Sequence, residues 1–107
     1  MSIGIHIMYR SERPDAYHPV VSESGYHRSW LPLLEGGDFV WLDQLGTGFP
    51  VTAEDWPVVL EELERLMGLA AQSRGEGVAA EGLERMARAR RVLQELNWMD
   101  VAEVFFG

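Results

Sequence analysis

Apolar and polar residues alternate from Ile3 to Tyr9, with Ile3, Ile5, Ile7 and Tyr9 on one side and Gly4, His6 and Met8 on the other. A period of two marks a half-buried strand, and the isoleucine side is expected to face the core. A second strand is expected at about 38 to 43. There Phe39-Val40-Trp41-Leu42 forms a short aromatic and branched run between Gly36-Gly37-Asp38 and Gly46-Thr47-Gly48. The period then changes. Val59 or Leu60, Leu63, Leu66 or Met67 and Ala70 recur at helical spacing, with Glu61, Glu62, Glu64 and Arg65 on the other side. This predicts an amphipathic helix over about 53 to 72. Its start has two candidate caps. Thr52 with Asp55 resembles a capping box, stapled by Val51 and Trp56, whereas Asp55 as cap gives the later start that suits Pro57. A second helix from about 78 to 96 repeats the spacing with Ala79, Leu83, Met86, Ala87, Ala89 or the stem of Arg90, Leu93 and Leu96. The linker from Ser73 to Gly77 is short enough to make the two helices antiparallel neighbours. At the end, Asp100 and Glu103 suit a helical turn while Val101, Val104, Phe105 and Phe106 suit a strand; the strand is the reading adopted.

Between Arg10 and Ser29 the composition turns polar, with Pro14, Pro19 and a Ser-Glu-Ser-Gly cluster at 22 to 25. This predicts a long ordered loop or two short extended pieces, followed by one helical turn over 30 to 35 capped by Ser29. The fold class expected is α+β: a small two-layer domain with about three strands packed against two antiparallel amphipathic helices, residues 1–107 forming a single domain. Such a sheet leaves two edges, which a homodimer through a strand edge or through the helix pair would cover.

Charge narrows the partners. The 17 acidic and 9 basic side chains give a net charge of -8, which repels nucleic-acid phosphates and anionic lipid and attracts a basic protein. All the basic residues are arginine, which removes a Schiff-base lysine or a phosphate-loop lysine from the mechanisms. The absence of cysteine removes a disulfide framework, a thiolate metal site and a thiol nucleophile. The first ten residues lack the apolar core of a signal peptide, and no stretch approaches the ~18 apolar residues of a membrane span, so a cytoplasmic location is expected.

Candidate chemistry concentrates between Tyr17 and Trp30, which hold two of the three histidines and two of the three tyrosines, as Tyr-His pairs at 17/18 and 26/27. A metal reading joins His6, His18 and His27 to Asp15 or Glu23, but the histidines stand 12 and 9 residues apart and match neither a helical-turn nor a knuckle spacing. A hydrolytic reading takes His18 or His27 as base, Ser22, Ser24 or Ser29 as nucleophile and Asp15 or Glu23 as the orienting acid. No Gly-x-Ser-x-Gly elbow supports it. Gly46-Thr47-Gly48 lacks the lysine and further glycine of a phosphate cradle. Arg85, Arg88, Arg90 and Arg91 form a basic cluster in which Glu81 with Arg85, Glu84 with Arg88 and Arg91 with Glu95 are four apart, the spacing of intrahelical pairs on a solvated face. No metal or cofactor is expected. Tyr17, Tyr26 and Trp30 lie in the polar segment and off any periodic apolar face; with His18 and His27 they are the candidate partner-binding residues.

Gly4-Ile5 near the start, Gly48-Phe49-Pro50 before a Glu- and Leu-rich helix, and the terminal Glu103-Val104-Phe105-Phe106 resemble small acidic immunity proteins of bacterial toxin systems. The resemblance covers scattered short pieces and departs from the pattern over residues 10 to 35, so it carries over no binding residue. It implies a non-catalytic protein that masks a toxin, with the acidic surface steering a basic nuclease towards it. The expected function is therefore a non-catalytic protein-binding or regulatory module. The alternative is a small metal-dependent or acid-base hydrolase centred on His6, His18 and His27.

Overall fold

The computed structural model describes residues 2–72 and 77–107, the side chains of 77–81 excepted. Residues 73–76 of the linker expected at 73 to 77, the core position expected of Ala79 and the expected Glu81–Arg85 pair lie outside the described residues, and Gly77 belongs to a helix. The architecture is α+β, as the patterning predicts, with a four-stranded antiparallel sheet in the order β2-β1-β4-β3. Strands β1 (Ser2–Tyr9), β2 (Ala16–Ser22), β3 (Phe49–Val51) and β4 (Val101–Phe106) make up the sheet, so the C-terminal strand forms and pairs at the centre. Ile3, Ile5 and Ile7 join Val104 and Phe106 on the buried face, where apolar burial contributes about 1.5–3 kcal/mol per side chain. Arg10 fastens the β1–β2 turn to the start of β4: its backbone N–H donates to the Asp100 carbonyl at 2.7 Å and its Nε to the Val101 carbonyl at 2.9 Å.

Two expected boundaries shift, and each has a local cause. The segment read as a loop is strand β2 followed by a helical stretch: α1 (Glu23–Gly25), a π-helical turn (Tyr26–Trp30) and α2 (Leu31–Glu35). Its cap is Ser22, whose Oγ accepts the Gly25 N–H at 3.0 Å, not Ser29. The serine cluster read as a turn is thus a helix start, the other use of the same chemistry. Pro32 has no N–H to give to the preceding turn, and there the ladder widens, with the Leu31 N–H reaching the Tyr26 carbonyl. Ser29 Oγ donates to the Gly25 carbonyl at 2.8 Å, supplying a bond to the widened turn.

The strand expected at 38 to 43 does not form. The backbone N–H groups of Val40, Trp41 and Leu42 donate to the carboxylate of Glu62 at 3.0–3.3 Å, so they are not available to a ladder. Phe39, Leu42 and Leu45 enter the core from an irregular segment that includes a 3-10 turn (Leu42–Gln44). Glu62, expected on the solvent side of its helix, is the one buried charged side chain among the described residues, at 2% exposure. The strand signal was displaced: Phe49–Val51 pairs with β4 instead, entered through Gly48 at φ 85°, a conformation that L side chains rarely adopt.

Helices α3 (Trp56–Gln72) and α4 (Gly77–Gln94) pack side by side over the buried face. The later start prevails for α3. Thr52 Oγ1 accepts the Asp55 N–H at 3.1 Å, the Val59 N–H bonds to the Asp55 carbonyl, and Pro57 falls in the first turn. Trp56 Nε1 donates to the Leu93 carbonyl at 2.8 Å, tying the start of α3 to the end of α4. Arg90 approaches Glu64 across the helix pair at 3.9 Å, while the pairs expected within α4, Glu84–Arg88 and Arg91–Glu95, do not close to ion-pair distance among the described residues. No helix of the described residues is long and apolar enough to cross a membrane.

Candidate functional site: the uncovered face of the sheet

Because the helices cover one face of the sheet, the residues that alternate with the isoleucines stand on the other. Register places Pro50 opposite Phe105, Phe105 opposite His6 and His6 opposite Tyr17, one row crossing all four strands. Met8 stands opposite Glu103 in the next row. Large apolar groups on this face remain open to solvent: Tyr17 is 50% exposed, Met8 41% and Phe105 40%. Two glycines let the aromatic rings lie flat against backbone. The Tyr17 ring rests on Gly4 and the Phe105 ring on Gly48, and a Cβ on either glycine would overlap the ring. Tyr17 is further held by an edge contact with His6, ring centres 6.2 Å apart, and by a 3.2 Å hydrogen bond between its hydroxyl and Ser2 Oγ. Ordered, half-exposed aromatics lose little rotamer freedom on binding, which suits them to anchor a partner.

The face carries a negative margin. Glu103 lies on it, and Asp15 stands 4.0 Å from His6 Nε2. Beyond Phe105 the surface descends into a cleft of about 540 Å³, whose walls include Ser2, Glu23, Tyr26, His27 and Thr47. Burial, then the nearby charges of Asp43 and Glu35, push the Tyr26 phenol above its ordinary value of 10.0, so it remains a neutral hydroxyl and not a phenolate nucleophile.

The five partner-binding candidates therefore part company. Tyr17 lies on the uncovered face. His27 is exposed at the cleft, with its ring against Tyr26 at 5.4 Å. Tyr26 is 4% exposed and reaches the cleft from the core side, and Trp30 is fully buried, so it offers no surface to a partner. His18 pairs in register with Ile5 and points to the helix side, lining a separate cavity of about 260 Å³ with Val92 and Leu96. The three histidines thus lie in three places. No group of three or more histidine or carboxylate side chains is close enough to share a metal ion among the described residues. Met8, Pro50 and Phe105 were not singled out in the sequence. Their signal was the second face of the same alternation that marks the core, a pattern that also describes ordinary solvated positions.

No family model matches this chain, and comparison with curated proteins and with solved structures found no match.

Proposed function

We propose that the protein is a non-catalytic protein-binding module that engages a basic partner through the uncovered face of its sheet. The observation that carries this reading is the row Pro50, Phe105, His6 and Tyr17, with Met8 beside it, exposed on a rigid four-stranded platform and bordered by Asp15 and Glu103. An apolar centre with an acidic margin, on a chain of net charge -8, complements an apolar patch ringed by arginine or lysine. A second copy of the chain fits this face less well, because a two-fold contact would bring its acidic margin close to the same margin. Masking a basic toxin, the role implied by the resemblance to immunity proteins, is one form of the same function.

The test uses matched baits from the native host. Wild-type chain should recover a basic protein that rebinds when both components are purified and whose affinity falls with salt. Tyr17→Ser combined with Phe105→Ser should weaken that binding by roughly tenfold or more, while Val40→Ser with Met99→Ser, exposed apolar residues elsewhere, should leave it intact. Equal binding by both double variants would refute the assignment of this face. A concentration-dependent dimer abolished by the Tyr17 and Phe105 changes would assign the face to self-association instead.

A further inference from the structure

On the side of the sheet occupied by the helices, a second cleft collects three arginines. Arg28 from the π-helical turn and Arg85 and Arg88 from α4 line a cavity of about 260 Å³ together with Ser22 and Ser29. The convergence has a packing cause. Gly82 sits against Ser29, where a Cβ would meet the serine side chain at 2.9 Å, so the π-helical turn and α4 approach closely. Arg85 follows Gly82 by one turn and Arg88 by two, on the same helix face, while Arg28 precedes Ser29 directly. Four other arginines have partners: Arg10 donates to the Val101 carbonyl, Arg13 pairs with Asp100 at 3.2 Å and stacks on Tyr9, Arg90 approaches Glu64, and Arg65 donates to the Asp38 carbonyl, while Arg91 is exposed on α4 outside the cleft. Among the described residues no carboxylate lies within ion-pair distance of Arg28, Arg85 or Arg88.

Three arginines line one cleft, and in a chain with 17 acidic side chains the described residues place no carboxylate within ion-pair distance of them. A tetrahedral oxyanion would balance this concentration of positive charge, because guanidinium forks match the spacing of phosphoryl oxygens and donate to several at once. Ser22 Oγ accepts the Gly25 N–H and lies 3.4 Å from Ser24 Oγ; when Ser24 is the donor of that contact, the Ser22 proton is available to an oxyanion. Pro19, Val20 and Val21 at the free edge of β2 add an apolar stretch to the wall, which Ser2 and Gly25 complete. The cavity is smaller than the usual range for drug-sized ligands, so it suits a phosphoryl group with a short organic substituent. We infer that this cleft binds the phosphoryl group of a small phosphomonoester, with Arg28, Arg85 and Arg88 on the oxygens and the Pro19–Val21 wall against the organic part.

Titration of inorganic phosphate into the isotope-labelled full chain tests the site by amide chemical shifts. Ser22, Gly25, Arg28, Ser29, Arg85 and Arg88 should shift and saturate, with chloride at matched ionic strength giving no saturable response. Arg85→Gln and Arg88→Gln should each weaken phosphate binding by roughly tenfold, the value expected for loss of one charge-assisted bond, while Arg13→Gln leaves it unchanged. Unaltered amide spectra away from the cleft show that the variants remain folded. Tighter binding of glycerol phosphate than of inorganic phosphate supports the role of the apolar wall. Co-sedimentation with phosphatidate vesicles that is lost in Arg85→Gln would place the same phosphoryl group on a lipid. A phosphate response no greater than that of chloride, a response that survives Arg85→Gln with Arg88→Gln, or binding of a glutamate-rich peptide without any response to phosphate overturns the inference. None of these readouts involves the uncovered sheet face, so this site and the protein-binding surface stand or fall separately.

Discussion

Replacing Glu62 by alanine is the perturbation that best tests how the irregular segment before β3 is held. The carboxylate accepts N–H groups from Val40 at 3.2 Å, Trp41 at 3.0 Å and Leu42 at 3.0 Å, and the side chain itself is 2% exposed. Alanine leaves those three donors without their acceptor. The Leu42 bond is buried and those of Val40 and Trp41 are partly buried, so water can reach the latter two more readily. An orphaned buried donor costs about 1–3 kcal/mol, and a bond to a charged acceptor contributes in a similar range. Counting Leu42 at about 2 kcal/mol and the other two at about 1 kcal/mol each gives a loss of about 4 kcal/mol, a large share of the ~5–15 kcal/mol that stabilises a domain. With an unfolding entropy of ~2.1 cal/mol/K per residue, this corresponds to a fall in Tm of roughly 15–20 °C. Glu62→Gln keeps one carbonyl acceptor but turns an amide N–H towards a backbone donor, so it should lose about half as much. Urea unfolding followed by both tryptophan fluorescence and far-ultraviolet circular dichroism measures these differences, with the exposed neighbour Glu61→Ala as the reference. Surface substitutions of that kind normally stay within about 0.5 kcal/mol. If Glu62→Ala were no more destabilising than Glu61→Ala, the carboxylate would not be what organises residues 40 to 42.

Gly48→Ala places a side chain at φ 85° and drives a Cβ into the Phe105 ring; a loss of about 1–3 kcal/mol in urea unfolding is expected, together with a change in the environment of Phe105, and an unchanged midpoint would contradict the strained turn. Tyr26, with its phenol raised by burial and by Asp43 and Glu35, gives an alkaline signature. The unfolded phenol ionises near 10.0 and the folded one later, so its contribution to stability is complete below pH 10 and declines as pH rises through the folded value. Tyr26→Phe should remove that component of the alkaline fall in stability, and identical pH profiles for the two proteins would exclude it. Thr52→Ala removes the acceptor for the Asp55 N–H and should cost about 1 kcal/mol by the same denaturation assay; a neutral effect would mean that Asp55 and Pro57 suffice to start α3.

Much of the scaffold was legible because it is written in local periods. The isoleucines of β1 and the apolar positions of α3 and α4 show their spacing directly, and spacing assigns their element and buried side, while the branched and aromatic residues of β4 show strand composition. Where local chemistry admits two uses, spacing does not decide between them. Ser22 to Gly25 serves turns and helix caps alike, and it became a cap once Tyr26, Trp30 and Leu34 found room in the core. Phe39 to Leu42 has strand composition, yet a carboxylate 20 to 22 residues away takes the backbone donors of Val40, Trp41 and Leu42, and no short window of sequence contains both partners.

The candidate site divides along the same line. Alternation in β1 already separates Ile3, Ile5 and Ile7 from His6 and Met8 and hence determines that one side of that strand is polar or half-apolar and open. Strand order is a tertiary matter: only the pairing of β4 between β1 and β3 sets Phe105 and Pro50 in the same row as His6 and Tyr17. The doubled Tyr-His pair shows the limit most clearly. Two identical dipeptides place their four side chains on the uncovered face, on the helix side, against the core and at a cleft, because one pair lies on a strand of period two and the other on a widened helical turn. Composition supplied the chemistry, local period supplied the direction of each side chain, and long-range pairing, which depends on which distant segments bury one another best, decided which of those side chains share a surface.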